Sequence, residues 1–195
     1  MSKFKVIETL VKSITQLPGI GPKSARKAAY FLLCNRERVL KPLIDAIKAA
    51  DHNILTCRLC RNLDETNPCR LCTSQEAENI LCIVRDHSDL YTIQNTGAFK
   101  GKYYVLGPSF MPSASHAKDV IEHLRQRIQD ENFEEIILGL QASIEGKMLL
   151  HYLTLAIEDL GRKITHLGVG ISIGSDFEYI DSETMAAAIL GRKPV

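Results

Sequence analysis

Four cysteines constrain this chain more than any other feature. They fall as Cys57-x2-Cys60-x8-Cys69-x2-Cys72. Each Cys-x2-Cys step turns two thiolates toward one point, and two such steps complete a tetrahedron. A segment this short and polar has too little core to fold unaided, so a bound metal must supply its folding energy. Asn67 and Pro68 provide a turn directly before the second pair. Zn²⁺ suits four thiolates; two disulfides or an iron–sulfur cluster are the competing readings. Four protein ligands leave no open coordination position, so the expected role is structural. The other two cysteines, Cys34 and Cys82, stand in apolar patterns and read as small buried side chains.

The knuckle separates two kinds of sequence. Before it, Val6, Leu10, Val11 and Ile14 share one helical face over residues 5–15, and a second helix is predicted from Pro22 to about Leu33, with Ala25, Ala28, Ala29 and Leu32 inward. A third, near 36–51, carries Val39, Leu40, Leu43, Ile44 and Ile47. After it, apolar runs at Ile80–Val84, Tyr103–Leu106, Ile136–Leu140 and Ile164–Leu167 read as strands, with helical patterns near 88–95, 116–130 and 144–160 between them. Gly97 and Gly161 stand where helix C-terminal caps belong. Strands alternating with helices predict a mainly parallel sheet covered on both faces. Tyr103 and Tyr104 alternate in a strand, so one is expected in the core. A last short helix is expected near 182–190.

Charge divides the chain at the same place. Residues 1–75 carry 13 Lys+Arg against 6 Asp+Glu, and the remainder carries 11 against 17. The basic front is the candidate for a polyanionic partner. No run of about 18 apolar residues exists, so no membrane span is expected. Met1-Ser2-Lys3-Phe4-Lys5 leads into an amphipathic pattern and not an apolar signal segment, which makes the cytoplasm the expected compartment.

Leu17-Pro18-Gly19-Ile20-Gly21-Pro22-Lys23-Ser24-Ala25 joins the first two helices by a glycine hairpin. Gly19 and Gly21 allow positive φ and close approach to another chain. N–H groups at the following helix start can take a phosphate oxygen. Lys23, Arg26 and Lys27, spaced i, i+3, i+4, add charge on one face. This predicts binding to a nucleic-acid backbone without base reading. Pro22 stands where a Walker A loop needs glycine, so this is not that loop. Gly168-x-Gly170-x3-Gly174 misses the dinucleotide spacing by one residue and reads as loop glycines. The six histidines show no metal spacing, and His151 reads as structural.

The order of these pieces is specific. A helix-hairpin-helix, a four-cysteine knuckle and an α/β module of Toprim type, together with Val105-Leu106-Gly107, Ile144-Glu145-Gly146 and Gly170-Ile171-Ser172-Ile173-Gly174-Ser175-Asp176-Phe177-Glu178-Tyr179, resemble the RecR family of recombination mediators over nearly the whole chain. The fold class expected is therefore multi-part α and α/β. The resemblance implies a helix-hairpin-helix DNA-binding domain at 1–54, a four-cysteine zinc finger at 55–77 and a Toprim-like α/β domain at 78–168. A C-terminal segment, 169–195, would pack on a subunit or be exchanged between subunits. It also implies a homo-oligomeric ring, often a tetramer, that clamps DNA and acts with RecO, and in some bacteria RecF, to help load RecA at single-stranded gaps. Carried over by position, Gly19, Gly21, Lys23, Arg26 and Lys27 would contact DNA. Glu145 and Gly146 would face RecO, and Asp89 matches an acidic position after the first Toprim strand.

Two departures bear on chemistry. Toprim enzymes hold Mg²⁺ with a Glu after the first strand and a D-x-D after a later one. Here those places hold Arg85 and Gln141-Ala142-Ser143. Asp86 and Asp89 remain nearby, but Mg²⁺ needs a near-octahedral oxygen cage. The expectation is a protein that is not an enzyme. The rival readings are a Toprim nuclease, primase or topoisomerase, and a zinc-stabilised adaptor that does not touch DNA.

Overall fold

A computed structural model describes residues 5–168, 170–172 and 174–192. The chain forms two compact units, one running to Ile54 and one from Leu55 onward. In the first, helices α1 (Lys5–Thr15) and α2 (Pro22–Cys34) meet through Val11, Ala25 and Ala29, with Ile7, Leu10, Ile14 and Ile20 around them. The two alanines have no measurable exposure, so the helices approach at the distance small side chains permit. A single π turn, Arg36–Leu40, leads into α3 (Lys41–Asn53), where the sequence predicted one continuous helix. Leu43, Ile44 and Ile47 of α3 are expected inward from their spacing, yet all three are exposed. Cys34, expected to be buried, is exposed at the end of α2.

The second unit begins with the knuckle: strands β1 (Leu55–Thr56) and β2 (Leu63–Asp64) pair antiparallel, and the short helix α4 (Arg70–Thr73) follows. Next comes an α/β layer of β3 (Ile80–Val84), α5 (His87–Asn95), β4 (Lys102–Val105), α6 (Ala117–Glu131), β5 (Glu135–Gly139), α7 (Ile144–Ile157) and β6 (Lys163–His166). The four strands are parallel in the order β4-β3-β5-β6. Helix α8 (Ser182–Leu190) matches the last predicted helix. The stretch Gly170–Tyr179 includes Ile173, which lies outside the described residues, as do Val169 and residues 1–4.

Period-two alternation explains why both sheet faces are apolar. Leu81, Ile83 and Tyr104 face α6 and α7, in a core with Leu124, Ile128, Phe133, Leu149 and Leu153. Cys82, Val84, Tyr103 and Val105 face α5 and Leu71 of the knuckle. Tyr103 and Tyr104 are therefore both buried, at 3% and 0% exposure, because each face has its own cover. Gly97 and Gly161 close their helices at φ +64° and +66°. His151 is exposed, so the structural role expected for it has no support in its surroundings.

Candidate functional site

The knuckle brings all four predicted cysteines together. They are buried, and their sulfurs lie within 4.8 Å of one another. Cys60 and Cys69 Sγ are 3.4 Å apart, Cys57 and Cys72 Sγ 3.9 Å. Metal–sulfur bonds of about 2.3 Å in a tetrahedron require sulfur edges of about 3.8 Å. No disulfide joins these thiols, and their span suits one ion better than a multi-iron cluster. Backbone N–H groups of Cys69 and Asn62 donate to Cys57 and Cys60 Sγ at 3.3 and 3.4 Å. Such donors favour thiolates, the form a metal takes. Hydrogen bonding between Cys60 and Cys69 raises the first thiol far above its ordinary value and depresses the second to about 2.

Asp64 orders the second cysteine pair. It is 7% exposed and accepts from the Arg70 and Glu65 backbone N–H groups at 2.9 and 2.7 Å, with the Arg70 side chain at 3.1 Å. The Arg70 backbone N–H, then its guanidinium, hold this carboxyl below its ordinary range. A depressed folded-state value means the contribution is present at neutral pH and is lost as pH falls through the acid range.

Four consecutive carbonyls, Arg58 to Arg61, fasten the knuckle to the α/β layer. They pair with His123 Nε2 (2.8 Å), Arg127 Nη1 (3.0 Å), Val105 N–H (2.9 Å) and His87 Nε2 (3.3 Å). Sequence reading missed His123 and Arg127. Arg127 left a signal, being the one charge on the inward stripe Ala117, Val120, Ile121, Leu124, Arg127, Ile128. His123 left none.

In the first unit, Gly19 takes φ +77° and Pro22 opens α2. Gly21 differs from expectation: it is extended at φ −77°, and a Cβ there would meet only open space, so the turn itself does not require glycine. Gly21 is the N-cap and has no side chain to offer, so the first N–H groups of α2 face outward without a capping side chain. Lys23, Arg26 and Lys27 line one shallow concavity with Pro22 and Tyr30. Arg26 also lies 3.9 Å from Glu8, and both side chains are largely exposed.

A third place gathers residues at the carboxyl edge of the sheet, between β3 and β5, where the connections diverge to opposite sides. Open α/β sheets place ligands at such a switch point. Arg85 Nη1 meets Glu145 Oε2 there at 3.2 Å, beside a hollow floored by Phe110, Met111, Pro112 and Met148. Glu145 thus answers an internal cation. Asp86 caps α5, accepting from Ser88 N–H (2.8 Å), Ser88 Oγ–H (2.6 Å) and Asp89 N–H (3.1 Å). The Ser88 hydroxyl chiefly keeps its carboxyl below the ordinary range. One Asp89 oxygen is buried without a partner among the described residues. Ser143 caps α7 through Gly146 N–H at 3.1 Å. Gly146 is buried, and a Cβ there would overlap the Gln141 carbonyl oxygen, so only glycine fits. Glu145 is the more exposed half of the pair.

These features define a Toprim-type α/β protein with a tetracysteine metal knuckle seated on its sheet and a separate helix-hairpin-helix unit. Family models agree: the RecR helix-hairpin-helix matches residues 7–50, the Toprim domain 79–168 and the RecR C-terminal region 170–193. Proteins named Recombination protein RecR from Methylorubrum extorquens (strain PA1) and Rhodopseudomonas palustris (strain BisB18) are 37% and 36% identical. Each matches over 189 residues, 95% of this chain and 94% of the relative. The same name, identity of 37% and coverage hold for the protein of Methylorubrum populi. The chain belongs to the RecR family.

Proposed function

We propose that this chain is a DNA-binding recombination mediator, a cytoplasmic ring or clamp that acts with RecO, and with RecF where present, to help load RecA at single-stranded gaps. The observation that carries this is the convergence of Lys23, Arg26 and Lys27 on one face beside the uncapped start of α2. Cationic side chains and outward N–H groups together recognise phosphate without reading bases. Membership in a family whose relatives are named recombination proteins supports the same reading. The test is DNA affinity over a range of salt. Sequence-independent binding that weakens steeply with salt is expected. No DNA binding at low salt would favour a zinc-stabilised adaptor.

The metal in this reading is zinc, one ion per chain, because four thiolates in a closed tetrahedral shell suit it and leave no catalytic position. A homo-oligomer, with a tetramer as the expected size, is supported by exposed Phe31, Leu43, Ile44 and Ile47 in the first unit and Ile189 and Leu190 on α8. The segment from 169 onward would pack on its own subunit or be exchanged. Among the described residues, no helix is long and apolar enough to cross a membrane.

The Arg85–Glu145 pair supports a partner surface and not a metal-dependent active centre. Mg²⁺ is expected to elicit no cleavage, priming or strand passage. Turnover that survives rigorous purification and disappears on changing Asp86 or Asp89 would overturn this. Glu145→Ala should weaken RecO binding by roughly tenfold, the scale of one charge-assisted contact, with DNA affinity unchanged. Unchanged RecO affinity with weakened DNA binding would reverse the assignment.

A further inference from the structure

Arg127 is 4% exposed on a stripe otherwise filled by apolar side chains. A buried charge persists only where it is answered. Its Nε donates to Glu131 Oε1 at 2.9 Å, and Nη1 to the Tyr103 and Leu59 carbonyls at 2.7 and 3.0 Å. Its Nη2 donates to Cys72 Sγ at 3.4 Å. Glu131 is shared with Lys102 Nζ at 2.5 Å, so two cations face one carboxylate. Positive charge is left over, and it lies against a sulfur. Four thiolates around a divalent ion carry the complementary excess, a net double negative charge. The same planar group reaches both halves of the site: Cys72 directly, and the first pair through the carbonyl of Leu59, which lies between Cys57 and Cys60. Only a guanidinium has donors in a fork wide enough for this.

We propose that Arg127 is the outer-sphere counter-ion of the metal centre, and that retention of the metal depends on it. The proposal rests on reading the four cysteines as a metal centre. Arg127 is a positioning residue, touching a ligand sulfur and not the ion. Donation to Cys72 Sγ spreads the thiolate charge and fixes that side chain, while the Leu59 branch holds the first cysteine pair in register.

The experiment is chelator competition for zinc on the full-length protein, comparing wild type with Arg127→Met, Arg127→Lys and His123→Ala. Arg127→Met should weaken zinc binding by about 10- to 100-fold, as loss of an outer-sphere partner commonly does. Arg127→Lys should recover part of the loss, because the charge stays while the fork goes. His123→Ala breaks a docking contact to Arg58 without reaching a sulfur, and should stay within about twofold of wild type. Wild-type affinity in Arg127→Met would overturn the proposal, as would equal losses in Arg127→Met and His123→Ala, which would make Arg127 a docking residue only. Failure of the wild type to bind zinc at all would instead sink the metal-centre reading. Should Arg127→Met not fold, the cadmium-loaded wild type decides. An NMR correlation between the metal nucleus and an Arg127 guanidinium proton is expected, and its absence where that proton is sharply resolved would overturn the assignment.

Discussion

Replacing Cys60 with serine is expected to empty the metal centre and cost more than about 4 kcal/mol of stability, an effect exceptional for one substitution and typical of a lost structural metal. Cys60 is fully buried, and its sulfur sits 3.4 Å from that of Cys69. Its backbone carbonyl also receives the Val105 N–H. Without the metal, buried thiols that cannot all ionise crowd one another, and no apolar core compensates. Elemental analysis should fall from one metal per chain to none, and the thermal transition of the second unit should move sharply down. The helical signal of the first unit should remain, since its helices pack around their own apolar cluster of Val11, Ala25 and Ala29. Cys34→Ser is the control: that thiol is exposed and belongs to the other unit, so metal content should be unchanged. A metal-free Cys60→Ser protein of normal stability would refute the argument.

Lys23→Ala and Lys27→Ala should each weaken DNA binding roughly tenfold, the equivalent of about 1.4 kcal/mol, and alike for all sequences. The logarithmic salt slope should shrink by about one for each phosphate contact removed. Both side chains are exposed on α2, so metal content and helical signal should stay normal. Arg26→Ala should lose less, because Glu8 already answers part of its charge. In an oligomer each substitution recurs in every subunit, and losses at simultaneously engaged sites compound. Unchanged affinity and slope in protein of normal oligomeric size would leave the hairpin as an ordinary helical turn.

Much of this was legible because it depends on spacing. The Cys-x2-Cys repeats pointed to the cluster, and short continuous apolar runs located all four strands of the large sheet to within a residue. What escaped depends on neighbours distant in sequence. A sheet covered on both faces was expected, yet only one of Tyr103 and Tyr104 was placed in the core, and both are buried. Period 3.6 marked the apolar stripe of α3, but not that Leu43, Ile44 and Ile47 are exposed. Arg85 was visible as a departure from the Toprim pattern; that it pairs with Glu145, sixty positions away, was not. The clasp on carbonyls 58–61 left no trace in composition, because backbone acceptors look the same at every position.

That clasp has a consequence for solubility. β4 is one of the two edge strands of its sheet, and its outward groups at Tyr103 and Val105 are taken by Arg127 and by the Cys60 carbonyl. An unguarded parallel edge rich in tyrosine and valine is a template for strands of other molecules. The knuckle's share of that cover is the Cys60 carbonyl on Val105 N–H, so a chain stripped of metal, with an otherwise intact sheet, is expected to open part of that edge as a seam along which copies can stitch together.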